Sequence, residues 1–147
     1  MNEQLRDVDD ERSLRACYPV MKELRPHVAS EQDFLARATR MEQQGYRILA
    51  AWDGEAVVAL AGYRLQENLV YGRFLYVDDL VSSEARRGQR WGARLLEQLS
   101  VYARREGCDK LVLDTGLSNV LAQRFYFRAG LLPGAMRFGK PLSEAAA

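Results

Sequence analysis

Three consecutive runs in the middle of the chain, YRILAAW, EAVVALAGYRL and LVYGRFLYVDDLVSS, constrain the fold more than any other feature. Each is rich in β-branched and aromatic residues and none contains proline, as a strand inside a sheet requires. Asp53-Gly54 separates the first two with a residue pair suited to a tight hairpin turn. The pattern predicts an antiparallel meander of three strands, with a bulge near Gly72 in the third. In a regular third strand Asp78 and Asp79 point to opposite faces, so at most one of them reaches any one cleft.

Helical patterns lie on either side of the meander. After a short first strand, EQLRDV, Asp9 or Asp10 is placed to cap a helix whose Leu14, Cys17, Val20, Met21 and Leu24 share one face. Pro19 predicts a kink or break in it, and Pro26 ends it. Ser30 caps a second helix, with Asp33 in its first turn and Phe34, Leu35, Ala38 and Met41 as its apolar stripe. Beyond the meander, Trp91, Leu95, Leu96, Leu99, Tyr102 and Ala103 line a third helix closed by Gly107. KLVLDT reads as a short strand covered on both faces. A fourth helix carries Leu121, Ala122, Phe125, Tyr126 and Ala129, and AMRFGKPL is predicted to be a last strand. No repeat or linker interrupts the chain, so residues 1–147 read as one domain.

Between the third strand and the third helix stands RRGQRWG, residues 86–92. A basic, glycine-containing loop at a helix start suits an anion, because unpaired N–H groups and the positive end of the helix dipole meet there. The net charge of the chain is only +1, so Arg86, Arg87, Arg90 and Arg94 are a local cluster and not a basic face for nucleic acid. A triphosphate-binding P-loop is excluded, since Ala93 and Arg94 stand where that motif needs lysine and a hydroxyl residue. Cys17 and Cys108 are far apart and lack metal-site spacing, so no metal is expected. No run is long and apolar enough to span a membrane, and MNEQLRDVDDERSL has no leader-type apolar core. The expected location is cytoplasmic, without membrane partners.

The order of elements and two motifs resemble the GNAT superfamily of acyl-CoA-dependent N-acetyltransferases. Its pyrophosphate motif, (Gln/Arg)-x-x-Gly-x-(Gly/Ala), is met here by Arg87 and Gly92, while Arg90 replaces the middle glycine. A second family pattern on the following helix is matched throughout by NVLAQRFYFRAGL, in Asn119, Ala122, Phe125, Tyr126, Gly130 and Leu131. YVDDLVSS is similar to the strand that precedes the family's loop. The resemblance implies an α/β (α+β) fold with a mixed central sheet of about six to seven strands flanked by four helices. Two parallel strands would splay apart at the cofactor site.

The resemblance also implies roles. Leu80, Val81 and Ser82 would pair with the pantetheine arm of acetyl-CoA, and amides of Arg87, Gly88, Gln89, Arg90, Trp91 and Gly92 would cradle its pyrophosphate. Asn119 would bond the pantetheine or phosphate region, and it is equally a helix cap. Tyr126 would face the sulfur as general acid, with core packing as its competing role. Arg25 and His27, in the turn between the first two helices, are the candidates for touching the acceptor, against a plain surface turn for His27. If the family's middle glycine serves a positive φ, arginine at position 90 carries a cost.

The expected reaction is direct transfer of an acetyl group from acetyl-CoA to a primary amine, without metal. A lysine-like amine with a pKa of ~10.4 is unprotonated in about one molecule in 2,500 at pH 7, an α-amine near ~7.7 in about one in six. A base helps the first far more than the second. Asp79, Glu84 and His27, directly or through water, are the candidates, and the sequence does not choose among them; solvation or pairing with a neighbouring arginine is the competing role of Asp78 and Asp79. Small amine, amino acid, peptide N-terminus and protein lysine all remain open as acceptors, and a homodimer is among the expected assemblies. The competing function is a non-catalytic acyl-CoA sensor or regulatory module.

Overall fold

A computed structural model describes residues 3 to 146. The chain divides into two compact units, one ending at Leu113 and the other beginning at Asp114.

The first unit is built on a five-stranded sheet in sequential order, β1 (Glu3–Asp7), β2 (Arg47–Asp53), β3 (Ala56–Asn68), β4 (Gly72–Ser82) and β5 (Lys110–Leu113). The first four strands are antiparallel and β5 lies parallel to β4. The β2–β3 connection is Gly54-Glu55, with Gly54 at φ 63°, so the positive φ falls on the first residue of the turn. The β3–β4 turn is closed by Asn68, whose Oδ1 accepts from the N–H groups of Val70 (3.0 Å) and Tyr71 (2.7 Å).

Helix α1 (Glu11–Leu24) begins at a reciprocal cap. Asp10 Oδ1 accepts from Ser13 N–H at 2.7 Å, and Ser13 Oγ accepts from Asp10 N–H at 3.3 Å. The helix runs unbroken through Pro19. Helix α2 (Glu31–Glu42) is capped by Ser30 as its sequence predicts. Cys17, Val20 and Met21 of α1 and Phe34 and Ala38 of α2 form one core with Tyr46, Ile48, Ala50, Trp52 and Leu60. The alternate residues Leu49 and Ala51 are equally buried and face the other side of the sheet. That side meets α3 (Trp91–Arg105), whose Trp91, Leu95, Leu96, Leu99 and Ala103 are buried and whose Tyr102 packs edge-on against Tyr63 at 5.8 Å.

The second unit contains α4 (Val120–Arg128), the fourth helix. The expected six to seven strands reduce to five among the described residues, because residues 131–142, including AMRFGKPL, form no strand. A strand exists only through its ladder partner, and Pro133, Gly134, Gly139 and Pro141 leave this stretch little intrinsic preference for one. The strand KLVL is half-buried and not fully covered. No helix among the described residues is long and apolar enough to cross a membrane.

Candidate active site

The site begins with an irregularity in β4. Tyr63 of β3 pairs with Val77, and its neighbour Gly62 pairs with Asp79, so Asp78 is an extra residue. The bulge lies at Asp78 and not near Gly72, which instead adopts φ 71° where β4 leaves the turn. Both carboxylates are drawn into one network as a result, against the expectation of opposite faces for a regular strand. The Asp78 carboxylate receives the forked guanidinium of Arg64, Nε at 3.0 Å and Nη2 at 2.9 Å. Arg64 also donates to Gln44 Oε1 at 3.2 Å and lies over the Tyr46 ring. The Asp79 side chain, 9% exposed, accepts from Arg25 Nε at 3.0 Å and from the Tyr46 hydroxyl at 2.6 Å.

Burial and the adjacent Asp79 carboxylate raise the Tyr46 phenol well above its ordinary pKa, so Tyr46 is a fixed donor. Burial also raises the Asp78 pKa, and the Arg64 fork opposes that shift. Gly62 is required beside this network by close approach. A Cβ there would stand 2.3 Å from the Tyr46 hydroxyl oxygen and 2.4 Å from Asp79 Oδ2. Sequence reading missed Gly62, Tyr46, Arg64 and Gln44. The available signals were a glycine inside an apolar strand and two adjacent aspartates on an otherwise apolar one.

Past Val77 the sheet edge opens. Pairing between β4 and β5 covers only Phe74–Val77 against Lys110–Leu113, and β5 stops there. β4 continues to Ser82 with β3 as its one partner among the described residues, so half-buried Leu80, Val81 and Ser82 carry main-chain groups on an edge where no described strand pairs. The chain then makes a 3-10 turn at Glu84–Arg86, where the Glu23 carboxylate accepts from Glu84 N–H at 2.8 Å.

The loop that follows separates the four arginines into two kinds. Arg86 donates to Asp53 at 3.0 Å and to Gln89 Oε1 at 2.7 Å, and Arg94 stacks 4.1 Å over the buried Trp91 ring. The same Gln89 oxygen accepts from Trp91 Nε1 at 3.3 Å, so it braces the loop from both sides. Arg87 and Arg90 are exposed, and among the described residues neither side chain has an ion pair. Gly88 has φ 85°, and Arg90, the N-cap of α3, has φ 63°. Arg90 is the one non-glycine residue at positive φ among those described. The middle position of the motif therefore needs the conformation glycine adopts freely, and arginine holds it at a cost of roughly 1 kcal/mol.

Arg25 and His27 are placed differently from each other. Arg25 caps the end of α1, and its guanidinium is bound to β4 through Asp79 and through the Asp78 carbonyl at 2.8 Å. His27 is exposed in the turn between α1 and α2.

In the second unit Asn119 is a helix cap, its Oδ1 accepting from Ala122 N–H at 3.2 Å. Tyr126 lies on α4 with its ring 5.3 Å from that of Phe125. Burial raises its phenol pKa, which keeps the hydroxyl a proton donor. Burial also pushes the Cys17 thiol up to about 12, so it is no nucleophile near neutral pH.

Comparison with known proteins places this arrangement in context. The model of the Acetyltransferase (GNAT) family matches residues 11–131. An uncharacterized N-acetyltransferase, YhdJ, of Bacillus subtilis (strain 168) is 29% identical over 126 residues, covering 85% of this chain and 89% of that protein. Aminoglycoside N(6')-acetyltransferase type 1 of Serratia marcescens is 32% identical over 79 residues, covering 51% of this chain and 54% of that one. The fold matches the crystal structure of aminoglycoside N-acetyltransferase AAC(6')-Iy in complex with CoA, with a TM-score of 0.83 at 14% identity over 97% of this chain and 96% of the other.

Proposed function

The chain belongs to the acetyltransferase (GNAT) family, and on that premise we propose that it transfers an acetyl group from acetyl-CoA directly to a primary amine of a small molecule. The observation that carries this reading is the run from an unpartnered strand edge, Leu80–Ser82, into a positively charged turn at the N-terminus of α3. On this reading the edge pairs with pantetheine and the amides of Arg87–Gly92 hold the pyrophosphate, with the side chains of Arg87 and Arg90 as its counter-charges. Asn119 keeps its cap and offers its amide NH2 group to the donor. On this reading residues 1–147 act as one acetyltransferase domain, which a family match running across Leu113 supports.

The amine attacks the thioester carbonyl, an N–H of the β4 edge stabilises the oxyanion, and the C–S bond breaks as Tyr126 donates to the departing sulfur. Both Asp79 oxygens are engaged by Arg25 and Tyr46, which supports a role in orienting those groups. Glu84 and His27 are the exposed groups left to take the amine proton through water, and His27 is our candidate for contact with the acceptor. A small amine fits the named activities of the relatives, one of which acetylates aminoglycosides.

Binding of the donor is tested by melting. At 100 times its dissociation constant, acetyl-CoA is expected to add about 2.7 kcal/mol of stability. An unchanged melting temperature together with no heat in calorimetric titration overturns the donor site. Arg90→Gly separates the two consequences of this arginine. It is expected to stabilise the free protein by up to about 1 kcal/mol through relief of the positive φ, while weakening acetyl-CoA binding and flattening its salt dependence. Tighter binding by the glycine variant shows that Arg90 makes no phosphate contact.

A further inference from the structure

Asp78 alone among the residues of β4 has a register partner on neither β3 nor β5. A bulge is a point where register can move, and a shift of one residue turns every downstream side chain and main-chain N–H to the opposite side. The residues downstream are Asp79 to Ser82, which include the free edge. Something must hold the extra residue in place.

Arg25 meets that need with two bonds. Its Nη2 donates to the Asp78 carbonyl at 2.8 Å, and its Nε donates to the Asp79 carboxylate at 3.0 Å. One planar guanidinium thereby fixes the bulged residue and its successor together. The arginine is itself anchored, since its N–H donates to Met21 O at 2.8 Å at the end of α1. On the far side of the Asp79 carboxylate, the buried Tyr46 hydroxyl prevents it from turning away.

We propose that Arg25 is a positioning residue for the donor site, locking the β4 bulge at Asp78 and so setting which main-chain groups of Leu80–Ser82 face pantetheine. The inference rests on the donor reading above. It gives Arg25 a different task from touching the acceptor. It also requires a guanidinium, because an ammonium cannot span a carbonyl and a carboxylate with parallel donors.

The test compares two ligands on Arg25→Ala. Acetyl-CoA is expected to bind about tenfold more weakly, whereas adenosine 3',5'-bisphosphate, which lacks pantetheine, binds within about twofold of wild type. The Arg25 side chain is 40% exposed, so added guanidinium ion can reach the vacated place and restores acetyl-CoA affinity, while methylammonium at the same ionic strength does not. Amide hydrogen exchange at residues 79–82 rises in the variant and falls again with guanidinium. Equal weakening of both ligands makes Arg25 merely structural and overturns the proposal. So does unchanged acetyl-CoA affinity, or affinity that guanidinium fails to restore. If wild type binds no acetyl-CoA, the donor reading fails, and unaltered exchange at residues 79–82 in Arg25→Ala then overturns the bulge lock itself.

Discussion

Gly62→Ala is expected to destabilise the protein by on the order of 3 kcal/mol, a loss of about 10 °C in melting temperature for a chain of this size. The new methyl group would occupy space 2.3 Å from the Tyr46 hydroxyl oxygen and 2.4 Å from Asp79 Oδ2. Neither neighbour can retreat freely, because Tyr46 is 5% and Asp79 8% exposed. The hydrogen bond between them must open, leaving a buried carboxylate with Arg25 as its remaining side-chain donor. Backbone strain is not the cause, since Gly62 does not have a positive φ. Chemical denaturation of the variant measures the loss. A change below about 1 kcal/mol would mean that the network yields without cost.

The second large effect is expected in turnover. Tyr126→Phe keeps the ring and its contact with Phe125 and removes the hydroxyl donor. Full proton transfer from an ordinary phenol (~10) to a thiolate (~8.5) is already uphill by about 2 kcal/mol. Burial raises the Tyr126 pKa further, so its contribution is a hydrogen bond that strengthens as charge develops on sulfur. Loss of such assistance is worth ~100-fold, and at least ~tenfold is expected here, with melting temperature and acetyl-CoA affinity nearly unchanged. Single-turnover kinetics isolates the chemical step from product release. Normal chemistry in the phenylalanine variant returns Tyr126 to packing.

Features governed by a few neighbouring residues were legible in the sequence. The caps at Asp10 and Ser30, the turn after Asp53 and the buried stripe of α3 all depend on contacts within one or two turns of chain. The cost of Arg90 was legible too, because a glycine position in the motif points to a positive φ, which Arg90 adopts. Features set by pairing across the chain were not. The bulge at Asp78 depends on how β3 and β4 register along their whole length, and the strand residues alone pointed to Gly72. Arg25 and Asp79 are 54 residues apart in sequence, and nothing local to either announces the bond. AMRFGKPL has strand-like residues at its centre, yet composition cannot supply a ladder partner. Proline at position 19 weakens a helix locally, but burial of Cys17, Val20 and Met21 around it holds α1 continuous.

The most direct measurement is product formation. The protein is incubated with acetyl-CoA and a panel of primary amines comprising an aminoglycoside, an aminoalkylphosphonate, amino acids and a polyamine. Thiol release is followed alongside mass spectrometry of the amines. The expected result is thiol release in step with one N-acetylated product, abolished when the amine is omitted. Binding of acetyl-CoA with no acetylated amine across the panel would contradict transfer to small amines and favour a sensor of acyl-CoA.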